Sequence, residues 1–252
     1  MKKLTTFVLV VILIFTLAAC GKTEPTESEN TTTANPADAA VMTHDEFVAA
    51  ALDSPVTVDT CIQAKQTFWD GKATLYTQAE GGAYFIYQMP CSQEEYDQLT
   101  AGTRIRVTGT KSVWSGEIEI INATYEIIDG NFKAEPLDVT ALLGSEQLAD
   151  HQNDLVKFTG LTVEPKADAN GGEAAFLYNW DGSGEEGSDL YFDASINGNK
   201  VTFTVESDLC GADTDVYKAV EPLKVGDVID LTGFLYWYDG ANPHVTAVSP
   251  AA

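Results

Sequence analysis

Leu99-Thr100-Ala101-Gly102-Thr103-Arg104-Ile105-Arg106-Val107-Thr108-Gly109 returns 124 residues later as Leu223-Lys224-Val225-Gly226-Asp227-Val228-Ile229-Asp230-Leu231-Thr232-Gly233. Leu, Gly, Ile, Thr and Gly recur in register, and Leu231 stands where the first copy has Val107. The register continues without a gap. Trp114 falls on Tyr238, Gly116 on Gly240, Ile121 on Val245 and Ala123 on Ala247. A self-match held at one spacing marks a duplicated structural unit.

The repeated unit reads as β-structure. Polar and apolar residues alternate through Arg104–Thr108 and again through Glu117-Ile118-Glu119-Ile120, the period of a half-buried strand. Upstream, Val56–Ile62 alternates as well. Lys72–Gln78 and Ala83–Met89 flank Ala79-Glu80-Gly81-Gly82, a hairpin signal. Ser92–Leu99 predicts one short helix. The order is three strands, a short helix and two strands. With the segment Gly-x-x-Ile-x-Val-Thr-Gly followed by an aromatic turn and Gly116, it resembles the OB-fold, a five-stranded Greek-key barrel. The resemblance covers residues 54–129 and, more loosely, 137–249. It implies an all-β chain of two tandem OB-fold-like barrels, each of five to six strands, with short helices.

The second copy departs from the first. Leu155–Val163 is its expected first strand and Ala174–Trp180 its next, followed by the long turn Asp181–Asp189. Leu190–Ile196 and Val201–Val205 flank Asn197-Gly198, a strong two-residue hairpin signal, so this copy is expected to carry an additional strand. Thr43 with Glu46 three residues on is a capping box that opens a lead-in helix, Thr43–Leu52. Ser145–Asp150 is a shorter helix ahead of the second copy.

The N-terminus carries a different message. Met1-Lys2-Lys3-Leu4 is positive, Phe7–Leu17 is nearly unbroken apolar sequence, and Leu17-Ala18-Ala19-Cys20 closes it. The run is shorter than the roughly 20 apolar residues of a membrane span. It resembles the leader and lipobox of bacterial lipoproteins. That resemblance implies cleavage before Cys20 and diacylglyceryl and acyl groups on its thiol, with no other cofactor. It places the chain on the extracytoplasmic face of the cell membrane, within the envelope. Lys22–Met42, rich in Thr, Glu, Pro and Ala, has little to bury and reads as a disordered tether. The expected organisation is 1–19 leader, 20–42 tether, 43–130 first domain and 131–252 second domain.

The formal net charge is −24, and loss of Lys2 and Lys3 with the leader takes it to −26. Nucleic-acid affinity comes largely from neutralising phosphates, so nucleic acid is counted an unlikely partner on charge. The membrane, through Cys20, and an unidentified extracellular ligand or protein are the expected ones, with the chain a monomer. Removing Cys20 leaves Cys61, Cys91 and Cys210. Export permits oxidation, and a Cys61–Cys91 bridge is the first expectation, with three free thiols the competing one.

OB barrels usually bind ligands across strands two and three, between the loops joining strands one to two and four to five. Those loops of the first copy hold Trp69 and Trp114, and Tyr76, Tyr84 and Tyr87 lie on the strands between. Trp180, Tyr236, Trp237 and Tyr238 take comparable positions in the second copy. Aromatic faces stack on bases and sugars. Barrel ends and domain contacts use the same residue types. The expectation is a non-catalytic module binding a protein, glycan or other extracellular ligand through Trp69, Tyr76, Tyr84, Tyr87, Trp114, Trp180, Trp237 and Tyr238. The alternative is an accessory single-stranded nucleic-acid binder at the cell surface, using Arg104, Arg106 and Lys111. Asp181–Asp189 fails as a calcium loop, because its sixth position is Glu186 and its twelfth Phe192. His44, His151 and His244 form no catalytic motif, so an envelope enzyme is the remotest of the three readings.

Overall fold

The computed structural model describes residues 40–251. The leader, Cys20 and most of the tether fall outside the described residues. Among the described residues, no helix is long and apolar enough to cross a membrane.

The first copy is a closed barrel. Its elements are α1 (His44–Ala49), β1 (Pro55–Lys65), β2 (Lys72–Ala79), β3 (Gly82–Pro90), α2 (Gln93–Gln98), β4 (Thr103–Trp114) and β5 (Glu117–Asn131). The strands run β1-β2-β3-β5-β4, and β4 returns to pair with β1. Only β3 and β5 pair in parallel. Period-two alternation aims Val56, Val58, Ile62, Leu75, Ile86, Ile105, Val107 and Ile120 into one core. Closure removes the open sheet edges that an acidic coat alone would have to protect.

The second copy has the same ring. It comprises β6 (Leu137–Asp138), β7 (Leu155–Glu164), β8 (Lys166–Ala167), β9 (Glu173–Ala174), β10 (Leu177–Tyr178), β11 (Leu190–Ile196), β12 (Asn199–Val205), α3 (Asp215–Val220), β13 (Val228–Phe234) and β14 (His244–Pro250). The order β11-β12-β14-β13-β7 closes through β7–β11, and again the third and fifth strands, β12 and β14, pair in parallel. Phe158, Phe192, Phe203, Leu231 and Tyr217 fill its core. The additional strand expected at Ala174–Trp180 is instead an insertion between the first and second barrel strands. It holds only the two-residue pieces β8, β9 and β10, because its Gly- and Asp-rich sequence favours turns. Asn197 and Gly198 have φ of 52° and 80°, the left-handed pair that a tight hairpin requires.

The helices are shorter than the pattern suggested. In α1, Glu46 N–H donates to Thr43 Oγ1 at 3.3 Å and Thr43 N–H donates to Glu46 Oε2 at 2.7 Å. The helix stops at Ala49 because the Lys111 ammonium takes the carbonyls of Phe47, Val48 and Ala50 at 2.8–2.9 Å. A second capping box, Ser92 with Glu95, starts α2. Ser145–Asp150 forms a tight turn of 3-10 helix, Glu146–His151.

Two pairs of repeated glycines have the same cause in both barrels. Gly102 and Gly226 precede the fourth strand with φ of 96° and 93°, where a side chain is strained. Gly109 and Gly233 lie where the fourth and fifth strands shift register and their backbones close up. A Cβ on Gly109 would meet Ile121 O at 2.8 Å, and one on Gly233 would press on His244 O and meet Val245 Cα at 2.8 Å. Gly233→Ala is therefore expected to lower stability by about 2–3 kcal/mol, read as a lower urea midpoint with the slope kept. An unchanged midpoint would show that the strand pair yields without cost.

The Cys61–Cys91 bridge is not formed, and all three described cysteines are free thiols. Cys61 lies opposite Gln78 at one end of β2, whereas Cys91 follows Pro90, the partner of Lys72 at the other end. The six intervening steps span roughly 20 Å of strand, against the 7 Å or less between Cα atoms that a disulfide needs.

Candidate functional site

The outer faces of the two β2–β3 equivalents have opposite fates. In the first barrel, Tyr76 on β2 and Phe85 on β3 pair side by side on the outer face. The second barrel covers them. Phe234 stacks on Tyr76 at 4.6 Å between ring centroids, Tyr236 meets Phe85 edge-on at 5.3 Å, and His244 Nδ1 lies 2.6 Å from Tyr76 Oη. Polar bonds frame this aromatic seam: Gln66 to Glu206, Gln78 to Asp154 and Gln152 to the Gly116 carbonyl. The first barrel's outer β2–β3 face is thus an interface.

The corresponding face of the second barrel is open. Tyr191 on β11 and Thr202 and Thr204 on β12 project from it, since their neighbours Leu190, Phe192, Phe203 and Val205 point into the core. Trp180 from the inserted loop and Tyr238, Asp239 and Asn242 from the β13–β14 loop wall it in. Trp114 and Gln66 of the first barrel complete the cleft, whose volume is about 1010 Å³. The duplication itself brings Trp114 in. Trp114 and Tyr238 occupy equivalent turns, and these turns meet tip to tip, with Asp239 N–H donating to Ser115 O at 2.7 Å. Trp114, Trp180 and Tyr238 are 60%, 71% and 55% exposed, so three large aromatic surfaces share one opening.

The cleft's cations are occupied. Lys166 and Lys200 donate to the two oxygens of Asp193, each at 2.9 Å, and Thr202 adds a bond at 2.7 Å. Burial pushes the Asp193 carboxyl up, but these donors outweigh it and hold the group below its ordinary value. Burial, helped by Asp189 and Asp208, pushes the Glu206 carboxyl up to about 7. Burial also drops His244 to about 3, so its ring is neutral. The arrangement suits flat, uncharged ring faces, with hydrogen-bonding groups at the floor and no free row of positive charge. Among the described residues, no cluster of three or more His, Cys, Asp or Glu could hold a metal.

Of the aromatics anticipated from sequence, Trp114, Trp180 and Tyr238 come together. Trp69 is 65% exposed but lies outside the cleft, with Lys72 over its ring at 5.9 Å. Tyr87 is partly exposed and stacks on Phe85. Three expectations are corrected. Tyr76 is sealed in the seam, Tyr84 is buried in the first core edge-on to Phe47 at 5.0 Å, and Trp237 packs half-buried on the second core. The basic set is corrected as well. Arg104 and Arg106 both bind Asp59, at 3.2 and 2.7 Å, and Lys111 is buried as the cap of α1. Sequence reading missed Tyr191, Asn242 and His244 as cleft residues. The alternation in Leu190–Ile196 would have placed Tyr191. Nothing local pointed to the others.

Fold and site together define a tandem OB-fold protein with the outer β2–β3 face of the first barrel closed by the second barrel and the equivalent face of the second open. No known family model matches the chain, and no curated protein sequence matches it. Among solved structures it is similar to the Ifi202 HINa domain in complex with double-stranded DNA, at 11% identity and a TM-score of 0.34, covering 81% of this chain and 99% of that one. It is also similar to a replication protein A heterotrimer bound to single-stranded DNA (11% identity, TM-score 0.31, 79% of this chain and 49% of that one). A third is the single-stranded DNA-binding protein from Thermus aquaticus (14% identity, TM-score 0.27, 79% and 94%). The expectation of a protein, glycan or other extracellular ligand, with nucleic acid counted out, is corrected by these DNA-bound and DNA-binding neighbours. The charge argument behind it concerned phosphates. The cleft presents ring faces.

Proposed function

We propose that this chain is a membrane-anchored, extracytoplasmic, non-catalytic protein that binds single-stranded nucleic acid, with bases stacked in the cleft of the second barrel. One observation carries the reading: Trp114, Trp180 and Tyr238 are exposed, come from both barrels and converge on one cleft. Every base has a face to stack, and each stacked base contributes about 1–3 kcal/mol without any phosphate contact. Paired bases in a duplex do not offer those faces. The anchor rests on the lipobox-like Leu17-Ala18-Ala19-Cys20 and the tether on the composition of 20–42.

The test is quenching of tryptophan fluorescence by single- and double-stranded oligonucleotides across a salt series. Single strands are expected to bind and duplexes not to. Because Asp193 already holds Lys166 and Lys200, log affinity is expected to fall with log salt at a slope of about one or less. Absence of saturable single-strand binding at about 50 mM salt, where phosphate contacts are strongest, would remove the reading.

A further inference from the structure

We infer that His244 presents a fixed Nε2–H donor to the cleft, its tautomer set from the other barrel by Gln66 and Tyr76, and that it donates to an acceptor atom of a bound base. The ligand part rests on the nucleic-acid reading above, and the tautomer part stands without it.

The relay follows from where protons can go. Tyr76 is fully buried, and its hydroxyl has two partners, Gln66 Nε2 at 3.4 Å and His244 Nδ1 at 2.6 Å. The Gln66 amide nitrogen only donates, and it also donates to Glu206 Oε2 at 3.2 Å. The one acceptor open to the Tyr76 proton is therefore His244 Nδ1. Were Nδ1 to carry a proton, the Tyr76 O–H would be buried without an acceptor, which costs about 1–3 kcal/mol. A neutral imidazole that accepts at Nδ1 carries its proton on Nε2.

Neutrality has its own physical basis. His244 is 7% exposed, sandwiched in the seam with Tyr236 stacked on it at 4.1 Å and Tyr76 edge-on at 6.0 Å. The acidic groups facing this cluster are Glu206, reached through Gln66, and Glu117 and Glu119, which act on its tyrosines. Burial without a bonded carboxylate holds the ring uncharged. Nε2 has no hydrogen-bond partner among the described residues. It is also absent from the buried unpartnered atoms there, which are Thr60 Oγ1, Glu117 Oε1 and Asn153 Oδ1. It is thus open to solvent, and the solvent space that His244 lines is the aromatic cleft. A donor there, below Trp114, Trp180 and Tyr238, meets the edge of a base whose face is stacked. Tyr76 acts as a positioning residue, because it touches the imidazole and not the ligand.

Nitrogen-15 NMR of the imidazole reads the tautomer directly in the unliganded protein. The expected result is a protonated Nε2 and an unprotonated Nδ1, unchanged from about pH 5 to 8, with mixed tautomers in Tyr76→Phe. A protonated Nδ1, or a ring that titrates near its ordinary value of about 6.5, overturns the relay. Binding is then read with a deoxythymidine oligomer of about ten nucleotides and with one carrying difluorotoluene, a thymine-shaped ring with poor acceptors. His244→Phe, which keeps an aromatic ring against Tyr236, is expected to weaken the thymidine oligomer about tenfold and to leave the difluorotoluene oligomer unchanged. Equal loss on both, or on neither, overturns the base contact. If the wild type binds neither oligomer, the nucleic-acid reading and the base contact fall together, and the NMR result still decides the relay.

Discussion

Between pH 6.5 and 8 the folded protein is expected to lose about 2 kcal/mol of stability through Glu117 alone, and Glu117→Gln is expected to abolish that loss. Glu117 begins β5 and is fully buried at the contact between the barrels. Its Oε2 accepts from Trp237 N–H at 2.9 Å and Gln152 Nε2 at 3.3 Å, both from the second barrel. Its Oε1 has no partner, and neither has Oδ1 of Asn153, whose side chain lies against the carboxyl. One proton on Oε1, donated to Asn153 Oδ1, satisfies both atoms. Burial supplies the reason to keep that proton, pushing the carboxyl up to about 8, against the nearby Asn153 amide and the bonds from Trp237 and Gln152.

The direction follows from which state holds the proton. Unfolded, the carboxyl ionises near its ordinary value of about 4.3, so above that the native state binds more protons and stability falls as pH rises. The fall ends once pH passes the folded value of about 8. Glu206, pushed up to about 7, adds to the slope in the lower part of the window. His244, depressed to about 3, works in the opposite sense, raising stability with pH mainly up to its unfolded value. Across pH 6.5 to 8 it adds back only about 0.4 kcal/mol. Glutamine at 117 offers Asn153 the same donor at every pH. Urea midpoints at pH 6.5 and 8 for the two proteins measure the difference, and a flat wild-type profile would mean that the buried carboxyl is already ionised.

The barrel topology was legible because duplication repeats its constraints. Gly102 and Gly226, Gly109 and Gly233, and the alternation between them recur for steric reasons that act within a few residues. The insertion at 165–189 defeated the strand reading because Ala174–Trp180 is apolar enough for a strand, while the turns on both sides limit its pairing to two-residue pieces, β9 with β8 and β10 with β11. The site was half legible for a related reason. Trp114, Trp180 and Tyr238 stand on loops, where the OB pattern places ligand contacts. Tyr76 and Tyr84 sit one on each face of a hairpin, and period two cannot tell a solvent face from one sealed by another barrel. Which barrel keeps its face open depends on contacts more than a hundred residues apart, such as Tyr76 with His244. Charge misled for want of pairing information: Arg104, Arg106, Lys166 and Lys200 all answer to a specific aspartate.

Trp114→Ala with Trp180→Ala is expected to weaken single-strand binding by roughly 30-fold to 25,000-fold, since two stacking surfaces at about 1–3 kcal/mol each are removed. The fold should be nearly untouched. Both side chains are mostly exposed, and substitutions of that kind cost within about 0.5 kcal/mol. Trp69→Ala is the internal control, equally exposed but outside the cleft, and is expected to leave affinity unchanged. The two cleft tryptophans also separate the roles of the barrels. Trp180 stands on the second barrel's own loop, whereas Trp114 reaches the cleft only because the Ser115 and Asp239 turns hold the barrels together. A ligand that spans both should show the single losses of Trp114→Ala and Trp180→Ala adding in free energy, as for distant sites. If Trp180→Ala alone abolishes binding and Trp114→Ala does nothing, the site belongs to one barrel and the seam serves only to hold the pair together. If Trp69→Ala weakens binding as much as the double change, the strand is bound elsewhere and the cleft is not the site.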